Sequence, residues 1–336
     1  METPFRVAGG LRPVALTPGC VRQAVRHSAT EHLNKPSKQS LRKRLEMKCP
    51  DPGVYENVAS EDYFAWEAVS NSKLSLLKRS PRHYQHGFSE TTPAMQLGSL
   101  VHSGVLEPLA IAKRYVFMPD YAKHPGNTTA SGDRSFSSAT KFVKQMEEQF
   151  RQLNFDKEIV TEEQYNTMVG MSTALADNDK AKHLLRDGRA EVSVVWDDAE
   201  TGLRCKARAD WLKPGIMADL KTTMDAGQFE RSIVKFGYHR QMAFYTRGLM
   251  ANGIKAEPWI ICVEKSAPFG CRCAPMDSEA LRIGANEIDE LLGLLVECQA
   301  RDFWPGYQNP SVWSVPEWYA KNEQLELIVD GETVLI

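Results

Sequence analysis

The chain predicts a mixed α/β domain: a central mixed sheet flanked by helices, with a helical portion preceding it. Three observations carry this. Between residues 71 and 186 apolar side chains recur at helical spacing. From Glu191 to Thr222 three short segments alternate with period two, separated by turns at 198–202 and at Lys213-Pro214-Gly215. After Tyr238 the helical spacing returns, and two strand-like segments and a last helix follow. Helices before and after a sheet make a layered α/β architecture.

Residues 1–50 stand apart. They are rich in Arg and Lys, poor in Asp and Glu, and carry the basic run Leu41-Arg42-Lys43-Arg44. No helical period is sustained there, so the segment is expected to be a disordered basic tail. It fits a DNA-contacting arm, an organelle transit peptide, or an upstream extension of a chain whose translation starts at Met47, which is the expectation favoured here. A globular domain is expected over 51–325 and a short C-terminal tail over 326–336.

The spacing predicts a helix over Asn71–Ser80, capped by Ser70, Asn71 or Ser72, with Pro81 beyond its end. A buried helix follows from Ala94 to Leu106, stopped before Pro108. Residues 119–137 are rich in Gly, Ser, Thr and Asn and are read as a loop. Helices are expected at about 138–152, 161–177 and 178–186. Glu191–Trp196, Leu203–Trp211 and Ile216–Thr222 then form a three-stranded meander. The second of these alternates small or apolar residues with Arg204, Lys206 and Arg208, the pattern of a half-buried strand. A helix at 238–252, strands at 257–265 and 270–276, and a helix at 278–301 complete the order.

Composition narrows the function. With 336 residues, a net charge of −2 and seven cysteines, the chain has enough apolar content for a large core and no overall basic excess. Nucleic acid would have to be met by a local groove. No segment has the roughly 18 apolar residues of a membrane span, and an odd cysteine count without a framework favours a reducing cytoplasm. Cys271-Arg272-Cys273 lacks the second pair a zinc site needs and is read as a strand with one thiol on each face.

The chemistry concentrates on the meander. Asp219 and Lys221, two apart on one strand, share a face. Asp210 ends the preceding strand, and a hairpin brings it beside Asp219. Two such carboxylates repel unless a cation lies between them. Hard oxygen ligands suit Mg²⁺, which activates water and, as a pair, steadies both oxygens of a phosphodiester displacement. Lys221 would then orient water or neutralise charge at phosphorus. On the apolar helix, His102 is a candidate ligand from a distance, and Gly98, one turn before it, leaves room for another backbone. Gln241 and Tyr245, four apart on the 238–252 helix, share a face and can donate hydrogen bonds to the site.

These segments together resemble the PD-(D/E)xK nuclease superfamily, in its RecB/Cas4-like branch, and there the RecE-type exodeoxyribonuclease VIII of phages and prophages. The resemblance rests on Leu97-Gly98-Ser99-Leu100-Val101-His102 with Glu107-Pro108, on Glu191, on Thr201 through Asp210, on Ala218-Asp219-Leu220-Lys221-Thr222-Thr223, on Tyr238 through Tyr245, and on Phe303-Trp304-Pro305-Gly306-Tyr307. It spans about residues 60–320 and implies a restriction-endonuclease-like core. It also implies that His102, Asp210, Asp219 and the Leu220 carbonyl bind Mg²⁺ or, as a substitute, Mn²⁺. Lys221 would be the catalytic lysine, Gln241 and Tyr245 would shape the site, and Glu191 would support it or touch a second metal. The implied activity is 5′-to-3′ degradation of one strand of linear duplex DNA, supplying single strands to an annealing recombinase. The implied assembly is a ring-like trimer or tetramer. Where cluster-bearing relatives have Cys-Pro-Arg this chain has Ser80-Pro81-Arg82, so no iron–sulfur cluster is expected. A structure-specific or nicking endonuclease, or an inactive DNA-binding relative, are the alternative functions on the same fold.

Overall fold

The computed structural model describes residues 49–87, 92–108, 111–309, 312–315, 326–329 and 332–335. The expected basic tail lies, but for its last two residues, outside the described residues. Strands β1 (Gly53–Tyr55), β4 (Arg189–Asp197), β5 (Arg204–Lys213), β6 (Gly215–Thr223), β7 (Ala256–Glu264) and β8 (Cys271–Pro275) form one six-stranded sheet in the order β1-β4-β5-β6-β7-β8. All neighbours are antiparallel except β6 and β7, which run parallel. That parallel step needs a crossover, supplied by helices α9 (Phe229–Phe236) and α10 (Tyr238–Ala251). The sheet is therefore mixed, as the sequence predicts.

Helices cover both faces. On one, α10 packs with α2 (Asn71–Arg79) and α11 (Ser278–Arg301) over Val192, Val194, Trp196, Ala207, Met217 and Ile260. On the other, α4 (Pro93–Leu106), α7 (Glu162–Asp177) and α8 (Asp179–Leu184) pack over Ala218, Leu220, Ile261 and Val263. Local sequence sets the helix starts. Thr161 and Gln164 form a capping box at α7. Thr92 caps α4, with Pro93 in its first turn.

Several expectations change. Pro81 lies beyond the end of α2, as expected, but also opens a further helix, α3 (Pro81–His86), with Ser80 closing α2 and capping α3. The short elements α1 (Ser60–Ala65), α5 (Ile111–Arg114), β1, and the parallel pair β2 (Tyr115–Phe117) and β3 (Glu158–Val160) are additional, as is α9. The 119–137 loop holds one 3₁₀ turn at Tyr121–Lys123 and leads to α6 (Lys141–Leu153). Strands at Glu326–Val329 and Glu332–Leu335 pair antiparallel within the C-terminal tail. Gly98 has open space about it among the described residues; Gly104 is the closely packed glycine of α4, where a Cβ would lie 2.6 Å from Met168 Sδ. Cys271 and Cys273, two apart on β8, lie on one face and pack against the same core, because side chains repeat with period two.

Strand β5 is buried on both faces, not one. Lys206 Nζ donates to the carbonyls of Tyr63 (2.6 Å) and Trp66 (2.7 Å), so a cation satisfies the C-terminal end of α1. Arg208 donates to Val58 O and Ser193 Oγ, each at 3.0 Å. Both basic side chains lie over the Tyr63 ring. The charges are carried inward because α1 and the residues flanking it offer carbonyls and the Tyr63 face.

The seam between α10 and α11 is tight. A Cβ at Gly284 would lie 2.6 Å from His239 O and 2.9 Å from Arg240 Cα, both backbone atoms. Gly284→Ala is expected to destabilise the fold by roughly 1–3 kcal/mol, the range for overpacking. It should lower the denaturant midpoint at constant slope; a wild-type midpoint would show that the helices part at no cost.

Candidate metal centre

The centre forms where two ladders open. Pairing of β5 with β6 runs from Lys213↔Ile216 to Trp211↔Ala218 and stops; the next opposed residues in that register are Asp210 and Asp219. Pairing of β4 with β5 skips one position, Glu191 opposite Asp210. Glu191 has φ +53°, a conformation costly for a residue with a Cβ and found where a site demands it. Alternation in β5 also changes phase here: Ala207, Ala209 and Leu212 all face the α10 layer. Asp210 is thereby turned along the sheet, and its Oδ2 accepts the Leu220 N–H at 2.8 Å, replacing a ladder bond.

From α4, His102 reaches the same point. Its Nε2 is 2.7 Å from Leu220 O, so that nitrogen carries the proton, because a carbonyl can only accept. Its Nδ1 is 3.5 Å from Asp210 Oδ2. Ligand-capable atoms of His102, Glu191 and Asp210 all lie within 4.8 Å of one another.

Asp219 faces the α10 side. It is 1% exposed; its Oδ1 accepts from Gln241 Nε2 at 2.9 Å, and its Oδ2 lies 2.5 Å from Lys221 Nζ. Oδ2 nonetheless has no aligned hydrogen-bond donor. Lys221 Nζ also sits 4.9 Å from the centre of the Tyr238 ring. Tyr245 lies beside Gln241, and burial pushes its hydroxyl well above the usual range, so it stays protonated.

The electrostatics are unbalanced. Burial, then Asp210, raises Glu191 to about 7. Burial, then Asp210, raises Asp219 to about 6, with Lys221 opposing. Burial pulls Lys221 down, but Asp219 and Asp210 outweigh it and hold the ammonium above its ordinary value. Three clustered carboxylates resist joint ionisation. Three carboxylates crowded against one ammonium, and a donor set of carboxylates, a carbonyl and one imidazole, fit a divalent cation that accepts oxygen and imidazole.

The structure thus brings together His102, Glu191, Asp210, Asp219, Leu220, Lys221, Gln241 and Tyr245. The tightest group is His102, Glu191 and Asp210; Asp219 belongs to the neighbouring Lys221–Gln241 pairings, and the Leu220 carbonyl is engaged by His102. Two contributors escape the sequence reading. Arg208 Nη1 is 3.8 Å from Glu191 Oε2; its signal was its even spacing from Asp210 on β5. Tyr238 borders Lys221, and no local pattern marks it.

A family model described as a PDDEXK-like domain of unknown function (DUF3799) matches residues 70–310. The search of curated proteins returns no match. Among solved structures, a candidate exonuclease from Eubacterium rectale is similar at 13% identity and a TM-score of 0.48, over 82% of this chain and 97% of that one. LHK-Exo in complex with dAMP is similar at 14% identity and a TM-score of 0.23, over 49% of this chain and 87% of that one. No helix among the described residues is long and apolar enough to cross a membrane.

Proposed function

The chain belongs to the DUF3799 family of PDDEXK-like domains, and from that premise we propose that it is a metal-dependent deoxyribonuclease that hydrolyses phosphodiesters at the ends of linear duplex DNA. The observation that carries the reading is the opening of two adjacent ladders at Glu191, Asp210 and Asp219, with Lys221 held against the outermost of them.

His102, Asp210, Asp219 and the Leu220 carbonyl would hold the cation, Mg²⁺ with Mn²⁺ as substitute, and Glu191 would complete or extend the set. Bound there, the cation supplies positive charge for phosphate oxygens and makes water more acidic. The chain's own part is positional. Asp219 and the Tyr238 ring fix the Lys221 ammonium, which remains charged to meet negative charge developing at phosphorus. Gln241, donating to Asp219 Oδ1, fixes the carboxylate's rotamer. Arg208, 3.8 Å from Glu191 Oε2, opposes the rise in that carboxyl's pKa and favours its ionised form. The resemblance to RecE-type enzymes supports a 5′-to-3′ direction, leaving a single strand for a recombination partner.

Linear duplex labelled at its 5′ or its 3′ end, incubated with and without Mg²⁺, tests activity, direction and metal need together. Nucleotides should be released from the 5′ label first and only with the cation. Cleavage of covalently closed circles would instead assign an endonuclease. Release of nothing under Mg²⁺ or Mn²⁺ would sink the catalytic reading.

A further inference from the structure

Beyond the reacting atoms, one aromatic pair leads from Lys221 to the surface. Tyr238, under the Lys221 ammonium, stacks on the buried Phe229, with centroids 5.7 Å apart and planes at 16°. On its outer side lies Phe236, 5.6 Å away and tilted by 33°. Gly237, at φ +67°, closes α9 and opens α10, and this left-handed joint sets Phe236 and Tyr238 on its two sides. The last turn of α9 is apolar where solvent should favour polar residues: Phe236 is 54% exposed and Val234 75%. Lys235 Nζ sits 5.4 Å from the Phe236 ring centre.

An exposed ring flanked by an ammonium, and joined through a second ring to a buried lysine, offers a π-face for a base and cations for its phosphates. That is the chemistry by which unpaired nucleotides are held without sequence preference. We propose that Phe236, with Lys235, is a base-stacking subsite for an unpaired nucleotide of the strand engaged at Lys221. Bases inside a duplex are stacked on both faces, and a blunt end offers only the outer face of its last pair; a frayed or single-stranded end frees individual bases for a single ring to hold. The subsite therefore specifies the substrate class as an unstacked end nucleotide. This inference rests on the nuclease reading given above.

The test is fluorescence anisotropy with a labelled phosphorothioate oligothymidylate in Mg²⁺, which reports binding without turnover. Wild type should bind, and Phe236→Ala should bind roughly tenfold more weakly or worse, with an unchanged melting temperature. Phe236→Tyr should restore affinity, because it restores the π-face. An oligonucleotide with abasic end residues should bind wild type no better than the intact one binds Phe236→Ala. Equal affinity of wild type and Phe236→Ala would overturn the subsite and leave the nuclease reading standing. Failure of wild type to bind any oligonucleotide would remove both.

Discussion

Replacing Lys221 with methionine should lower phosphodiester hydrolysis by roughly 10²–10³-fold while leaving affinity for Mn²⁺ equal or tighter. The two effects separate because of what Lys221 touches. Its ammonium lies 2.5 Å from Asp219 Oδ2 and over Tyr238; it supplies charge but no lone pair while protonated. Its removal takes a positive charge from beside a cation site and frees Asp219 Oδ2, and both changes favour cation binding. Asp219→Asn should behave differently. The amide keeps an oxygen for Gln241 but loses the negative charge, so activity and Mn²⁺ affinity should fall together, the latter at least tenfold or so, as for changes around other metal sites. Calorimetric titration with Mn²⁺ on both variants decides the matter. Loss of Mn²⁺ affinity in Lys221→Met would mean that the lysine merely holds the site together.

Much of this arrangement is legible in the sequence because it is periodic. Asp219 and Lys221 share a face by the period of a strand, and Met217, Ala218 and Leu220 alternate between the two cores around them. Long helices such as α7 and α11 declare themselves through spacing and caps. What escapes is set by partners distant in sequence. Lys206 and Arg208 alternate with small residues and so look like the polar face of a half-buried strand; they are buried because the segment from Val58 to Trp66, built around a helix too short to show a period, presents carbonyls to them. The three-residue strands β1, β2 and β3 are too short to alternate measurably. The approach of Gly284 to the α10 backbone joins residues more than forty apart.

The centre itself departs from periodicity, and that is why its geometry, unlike its membership, could not be foreseen. Strict alternation places Asp210 beside Asp219 across a hairpin. The observed β5 changes phase at this residue, turning the carboxylate to the Leu220 N–H and to His102. Glu191, unremarkable within a predicted strand, takes a positive φ and leaves the ladder. Both departures expose carboxylates to one another at the cost of sheet pairing, which is the expected signature of residues placed for a ligand in preference to stability.

That cost gives the second large expectation, a pH dependence that the cation weakens or reverses. Glu191 stands at about 7, raised from 4.5 by burial and then by Asp210. A carboxyl raised in the folded state binds protons that the unfolded chain has released, so it stabilises the fold below about 4.5, and that contribution is lost as pH rises through 7. The 2.5-unit difference (7 less 4.5) corresponds to at most about 3 kcal/mol, and Asp219, raised to about 6, acts in the same direction. Without divalent cation, melting should therefore fall by roughly 5 °C or more between pH 5 and pH 8. With Mg²⁺ in excess the fall should shrink or invert, because the cation binds the ionised carboxylates and stabilises the folded state in proportion to its occupancy. Glu191→Gln separates the causes. It keeps the side chain's shape but removes the ionisation, so the cation-free variant should melt above wild type at pH 8 and close to it at pH 5, and should gain less from Mg²⁺. Scanning calorimetry at the two pH values, with EDTA and with Mg²⁺, measures all four states. Identical pH profiles for wild type and Glu191→Gln would show that the carboxylate at the break in the ladder carries no repulsion, and the electrostatic argument for a cation at this place would fall with it.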